Sequence, residues 1–468
     1  MPVSRMTRRS FVGTAAGLGA SLLLPRRAAG IVRLPGPVRE PGSLPDPSVP
    51  AGTDTIPRIR HIVVLMMENH SYDSYLGALD RGDGLTFDAH GEAVNANPDA
   101  EGHMIRAFHM PSTCQLEGHP GQNWDASHLS LMASRFGTND GFVLASGPVA
   151  MGYWTEEDIP FYYGLARTFP LCDRFFCSVL AQTYPNRRFL LAGSAGGIIS
   201  TTTAALQAPE PPNGNILQTM NDHGISWRDY YTDLPGVGVL LETTGRNVDK
   251  LKSIDSFFDD AASGSLPDVS FVDPNFSTQS EENPQNIQNG EAFAARVINA
   301  VMQSPSWPET VLIWTYDEHG GYYDHVRPPE ALVPDDVPPG IEGAPHTLPG
   351  GYDRYGFRVP AVIVSPFARS GYVSHRVHDL TSILKLIETK WNLPALTFRD
   401  ANATDLLDTL DLIGPPRFLE PPTLPEPGAV SRPDDCTPGD PGGPIPPPSA
   451  LRPTAPGRRP IGRVPIQP

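Results

Sequence analysis

The chain has 468 residues, 53 prolines, 44 glycines, a hydrophobic fraction of 39% and a formal charge of −17. That is enough for one large domain or two smaller ones, with a sizeable core and many loops. The acidic balance excludes a nucleic-acid binder, which needs a basic footprint, and electrostatic docking on anionic lipid. Zwitterionic lipids and small phosphoesters stay open.

Taken in order, the chain first shows Thr7-Arg8-Arg9-Ser10-Phe11, an apolar stretch over residues 14–24, and the small residues Ala28, Ala29 and Gly30. Residues 1–29 resemble a twin-arginine export signal, cleaved near Ala29. The apolar run is shorter than the ~20 residues a membrane span needs, and no cysteine follows it to carry a lipid anchor. The protein is expected at the cell envelope, in the periplasm or outside the cell. Residues 30–57 form a proline-rich N-terminal segment that wraps the surface or stays mobile. Residues 58–413 read as one α/β domain, and residues 414–468 as a proline-rich disordered tail.

Within the domain, the continuous apolar runs Ile62–Met67, Val269–Val272, Val311–Tyr316 and Ala361–Ser365 predict buried strands. Glu291–Gln303 and Leu380–Trp391 carry helical periodicity. The alternation predicts a doubly wound, mostly parallel sheet with helices on both faces. Residues 81–168 read as a loop-rich, aromatic insertion that shapes a pocket. Its Tyr153, Trp154, Phe161 and Tyr162 suit either an apolar rim or, as most aromatics do, the core. Cys114, Cys172, Cys177 and Cys436 permit disulfides in an exported chain, and their connectivity is not legible from spacing.

Two strand candidates run out in oxygen donors: HIVVLMMEN in Glu68 and Asn69, TVLIWTYDEHGG in Asp317 and Glu318, with His319 after them. Ligand sites of open α/β sheets lie beyond the carboxyl ends of the strands. A carboxylate and an amide carbonyl are hard donors suited to a divalent cation. Taken alone, Asn69 reads better as the cap of a helix in HSYDSYLG, whereas Glu68 at the end of a buried strand needs a partner. Asp317 and Glu318 repel each other unless a metal, or an arginine pair, stands beside them. Asp324 and His325 read as groups that fix the following loop.

In SVLAQTYPNRRFLLAGS, Thr183 precedes a helix start with Pro185 in its first turn. A hydroxyl there faces the positive helix end, which suits a phosphate. It is a candidate nucleophile, or only an N-cap. Ser178 and Ser194 are placed less clearly at a helix start. His128, in NWDASH, is either a proton donor or a surface histidine. His375 and His378 could approach the site from the last strand.

MMENHSYDSYLG, NDGFV, QTYPNRRFLLAG, YDEHGGYYDHVRPP and YGFRVPAVIVSPFARSGYVSH occur in this order. Together they resemble the bacterial phospholipase C and acid phosphatase family of phosphoesterases, within the alkaline-phosphatase-like superfamily, over roughly residues 58–400. The resemblance implies an alkaline-phosphatase-like fold and a phosphoester hydrolase with a hydroxyl nucleophile. It makes Glu68, Asn69, Asp317 and Glu318 metal ligands, Thr183 both nucleophile and ligand, and His128 a contact to phosphate or leaving group. The cofactor is one or more divalent ions: calcium, magnesium, manganese or zinc. One departure is EENPQNIQNGE, where Asn283-Pro284 stands for the family's His-Pro, so a phosphate-binding histidine is missing.

The expected activity is a phospholipase C acting on phosphatidylcholine-type lipids. The alternatives are an acid phosphatase on soluble phosphomonoesters and a non-catalytic exported binding protein on the same fold. A sulfatase is disfavoured because Thr183 occupies the place of the modifiable cysteine. The expected partners are a phospholipid or small phosphoester and a transient membrane surface, with no nucleic acid and no protein partner.

Overall fold

The computed structural model describes residues 37–114, 120–132, 139–340, 347–429 and 436. The twin-arginine stretch over residues 1–29 lies outside them. Eight strands make the main sheet: β1 (His61–Met67), β2 (Leu171–Cys172), β3 (Trp227–Tyr231), β4 (Leu251–Ser253), β5 (Val269–Val272), β6 (Thr310–Tyr316), β7 (Ala361–Val364) and β8 (Val373–Ser374). Their order is β8-β2-β7-β6-β1-β5-β3-β4. Only β7 runs against its neighbours; the other pairings are parallel. The four apolar runs became β1, β5, β6 and β7, every residue buried except His61. Burial on both faces is what makes such strands continuously apolar.

Helices cover both faces. Register pairs Val64 with Phe271 and Leu65 with Trp314. Val64, Met66 and Phe271 meet Leu190 and Leu191 of the helix Thr183–Ala192. On the opposite face Trp314 packs on Tyr162 of the helix Pro160–Thr168, ring centroids 4.4 Å apart. The helix expected from Glu291 starts earlier, at Ile287, because the Asn286 side chain caps it by accepting from the Gln288 amide. The helix Leu380–Trp391 has the expected bounds, with Asp379 and Ser382 in a capping box.

One expectation changes. The segment after residue 414 is not wholly a loose tail. The Phe418 carbonyl accepts from the Trp307 indole at 2.9 Å, and the Gly428 amide donates to Glu291 Oε2 at 2.8 Å. Leu424 is buried, and Cys436 is disulfide-bonded to Cys114. Proline-rich chain can pack extended, since each proline has no N–H to satisfy. Residues 430–435 and 437–468 lie outside the described part. Tyr153, Trp154, Phe161 and Tyr162 are all buried in the core, as most aromatics are, and form no rim.

Candidate active site

The β1–β6 register pairs Met67 with Tyr316, so the next residues, Glu68 and Asp317, leave the sheet side by side. The Asp317 amide donates to the Met67 carbonyl at 3.1 Å. Asn69 follows with a φ of 70°, a left-handed conformation that asparagine tolerates better than most residues. Ser71, not Asn69, caps the next helix, accepting from the Ser74 amide. That leaves the Asn69 carboxamide free for another task. Both its polar atoms, and Glu318 Oε1, are buried with no hydrogen-bond partner.

Asp317 and Glu318 are held by the turn they open. Asp317 Oδ1 accepts from the Glu318 amide at 2.7 Å, and Glu318 Oε2 from the Gly320 amide at 2.8 Å. Burial, followed by the Asp317 charge, pushes the Glu68 and Glu318 carboxyls well up. Burial also brings Asp317 up to about 6, against the pull of Arg187. Three buried acids so placed have one guanidinium, that of Arg187, beside them.

Thr183 is the first residue of its helix and Gln182 its N-cap, so Thr183 is not the cap. Asn186 shapes the approach. Its Oδ1 accepts from the amides of Ser178 and Val179 at 2.8 and 3.1 Å. Its Nδ2 donates to the carbonyls of Val179, Ala181 and Gln182. Thr183 and Arg187, four residues apart, share one helix face. Arg187 Nε donates to Asp317 Oδ2 at 3.0 Å, which ties the Thr183 helix to the end of β6.

Several other candidates already have partners of their own. Ser178 donates to Asp379, and Ser194 Oγ accepts from the Gly196 amide. His375 pairs with Asp173, and His378 with Ser374, Thr404 and Asp408. Asp324 binds Arg358, and His325 binds Asp73 and Asp83, as loop-fixing groups do. His128 is buried rather than superficial. Its Nδ1 donates to the Trp124 carbonyl at 2.7 Å, and its Nε2 lies against Gly350. Burial lowers its pKa.

Arg187, His319 and Glu281 carried no role in the sequence, whereas Asn283 stood out only as a replaced histidine. Arg187 also donates to Asp273 Oδ1. His319 is fully packed between Phe142 and Phe357, and burial lowers it to about 3. Asn283 Oδ1 accepts from the Tyr322 hydroxyl at 2.9 Å. Glu281 next to it accepts from the hydroxyls of Tyr75, Tyr162 and Tyr316 at 2.6–2.8 Å. The polar run EENPQN offered no periodicity from which this packing could be read.

The unbonded Asn69 carboxamide, the free Glu318 oxygen and the mutually repelling acids fit a hard divalent cation. Among the described residues, the tightest His/Asp/Glu triple is a different one, Asp99, Glu101 and His103, with ligand atoms within 4.8 Å. It is a largely exposed hairpin turn in which Asp99 already serves His103. Glu68, Asp317 and Glu318 converge less tightly, since Asp317 turns to Arg187 and Glu318 to Gly320. No helix among the described residues is long and apolar enough to cross a membrane.

The chain was compared with known proteins. Phospholipase C A of Mycobacterium tuberculosis is 30% identical over 481 residues, covering 89% of this chain and 87% of that protein. Non-specific phospholipase C1 of Arabidopsis thaliana is 30% identical, covering 73% and 69%. A solved protein of the alkaline phosphatase superfamily from Vibrio parahaemolyticus aligns over 78% of this chain and 75% of that chain, with 10% identity and a TM-score of 0.39. That alignment is too loose to add to the sheet order above. The profile of the Phosphoesterase family matches residues 59–394. With its paired strand ends and helix-start hydroxyl, the chain belongs to the Phosphoesterase family and is a hydrolase of phosphoester bonds.

Proposed function

We propose that the chain is an exported, metal-dependent phospholipase C that cleaves phosphatidylcholine-type lipids on the glycerol side of the phosphodiester. One observation carries the reading: Glu68 and Asp317 leave adjacent strands level with each other, and Arg187 ties the helix of Thr183 to Asp317. The Cys114–Cys436 bond supports export, because disulfides persist in oxidising compartments.

Thr183 is the nucleophile. Its Oγ bonds to phosphorus while the bond from phosphorus to the diacylglycerol oxygen breaks, and that oxygen takes a proton. Water then attacks the phospho-threonine and releases the phosphorylated head group. The Thr183 amide faces the negative phosphoryl oxygens, since the Tyr184 amide donates to Thr201 and Pro185 has no N–H. Glu68, Asn69, Thr183, Asp317 and Glu318 would hold the divalent cation, which when bound acidifies the Thr183 hydroxyl and offsets phosphoryl charge. His128 serves the leaving group. Its loss is therefore expected to slow a choline phospholipid, with a basic alkoxide to expel, far more than a nitrophenyl ester, whose leaving group needs no proton. Equal slowing of both would remove His128 from that role.

The test offers purified protein a chromogenic phosphocholine diester and a chromogenic phosphomonoester, with and without chelator. Chelator-sensitive cleavage of the diester is expected. Cleavage of the monoester alone would make the chain a phosphatase acting on soluble esters. Failure to cleave either, with metal bound, would point to Asn283 and a changed phosphoester substrate.

A further inference from the structure

Glu281 is fully buried, lies on no strand of the sheet and takes no part in the chemistry above. Its backbone has a φ of 76°, where a glutamate is rarely found. Such a conformation persists only where the surroundings hold it, and it clusters at functional sites. Gln285 Oε1 holds the turn by accepting from the Ser280 and Glu281 amides at 2.9 and 3.2 Å. Gly290 makes room for the side chain: a Cβ there would fall 2.2 Å from Glu281 Cγ. An apolar side chain would fill the same space without the desolvation that a buried carboxyl costs. Stability alone therefore does not account for an acid at this position.

Its bonds lead to the candidate ligands. Oε2 accepts from two tyrosine hydroxyls, Tyr75 at 2.8 Å and Tyr316 at 2.6 Å. Tyr316 ends β6 and immediately precedes Asp317. Tyr75 packs edge-on against the His70 ring, centroids 4.1 Å apart, and His70 Nδ1 donates to the Asn69 carbonyl. A third connection runs through the main chain: the carbonyl of Ser280, the residue before Glu281, accepts from the Glu68 amide at 3.1 Å. The other carboxyl oxygen, Oε1, accepts from Tyr162 at 2.6 Å. Tyr162 belongs to the helix Pro160–Thr168, which carries no candidate ligand.

We propose that Glu281 is a positioning residue: through Tyr75, Tyr316 and the Ser280 carbonyl it fixes the three segments that bring Glu68, Asn69 and Asp317 together, so that the site is set before a cation binds. The inference rests on the metal-dependent reading above. Glu281 acts through its neighbours and touches neither cation nor substrate. Groups that orient ligands in this way carry a large share of a site's affinity for its metal.

The test measures manganese binding to the full chain by equilibrium dialysis, with a urea midpoint for each variant to show that it is folded. In the double variant Tyr75→Phe/Tyr316→Phe both rings stay and both bonds to Oε2 go, and manganese should bind about 10–100-fold more weakly. Tyr162→Phe removes a bond as short as that of Tyr316, but from Oε1. Its manganese affinity should stay within about twofold of wild type, since no ligand segment hangs on that bond. Glu281→Gln sets an amide N–H2 among the three hydroxyls and should weaken binding by about tenfold, which decides the matter should the double variant fail to fold. Wild-type affinity in the folded double variant or in Glu281→Gln, or equal weakening in Tyr162→Phe, would overturn the proposal. No manganese on wild type would instead remove the metal-dependent reading, and this inference with it.

Discussion

A Cβ on Gly320 would fall 1.7 Å from the Asn69 carbonyl oxygen. The two residues face each other across the site, Asn69 with a φ of 70° and Gly320 with a φ of 65°. Only glycine meets both demands at position 320: the left-handed backbone and the close approach. Gly320→Ala must displace either the Asn69 turn or the Asp317–Glu318 turn. A loss of about 1–3 kcal/mol in urea unfolding is expected, with activity lost beyond what stability explains. A variant with wild-type stability and turnover would show that the contact is dispensable.

Asn186 exerts its effect through the loop it holds. Five hydrogen bonds join its side chain to residues 178–182, just ahead of Thr183. Asn186→Ala leaves buried amides and carbonyls unpaired and should cost about 2–4 kcal/mol. Asn186→Asp keeps the acceptor for the Ser178 and Val179 amides and should fall between the two. If Thr183 is the nucleophile, kcat should fall in both folded variants while KM changes little; a pure KM effect would break that link.

Thr183→Ala is expected to lower kcat by about 10³-fold or more, as loss of a nucleophile does. Its unfolding midpoint should stay close to that of wild type, because Thr183 is not the N-cap residue of its helix. Thr183→Ser should recover part of the rate. Full activity in the alanine variant would sink the assignment.

His325 makes a prediction about pH. Its Nδ1 lies 2.7 Å from Asp73 Oδ2 and its Nε2 3.3 Å from Asp83 Oδ1. Burial alone would lower its pKa, but the Asp73 charge and the hydrogen bonds to both aspartates outweigh it and bring the pKa from 6.5 up to about 9. The folded state therefore binds the proton more tightly than the unfolded chain. The contribution, on the order of 3 kcal/mol, is fully present below pH 6.5 and is lost as pH rises through about 9. Urea midpoints between pH 6 and pH 10 should fall, and His325→Gln should flatten that slope. An unchanged slope in the variant would locate the pH dependence elsewhere.

Legibility in the sequence followed burial. Val269–Val272 and Leu380–Trp391 were readable to the residue because burial or capping leaves a local pattern. Trp227–Tyr231 was not, because WRDYY mixes charge with aromatics. Leu251–Ser253 was too short and, as an edge strand, too exposed. Glu68, Asp317 and Glu318 stood out as charges ending apolar strands. Arg187 and Asp273 did not: Asp273 ends its apolar strand as a lone acid, and its partner Arg187 is 86 residues away in sequence.

By itself the sequence determined the central strands, their order as α/β units and the acids at two strand ends, because apolar runs and helix caps are local properties. Only the tertiary structure decided that Glu68 and Asp317 stand level and that Asn69 is free of capping. It also decided that His128 is buried against Trp124 and that one guanidinium joins Asp273 to Asp317. Those relations depend on strand register and on which helix covers which face, and both are set by packing between segments far apart in the chain.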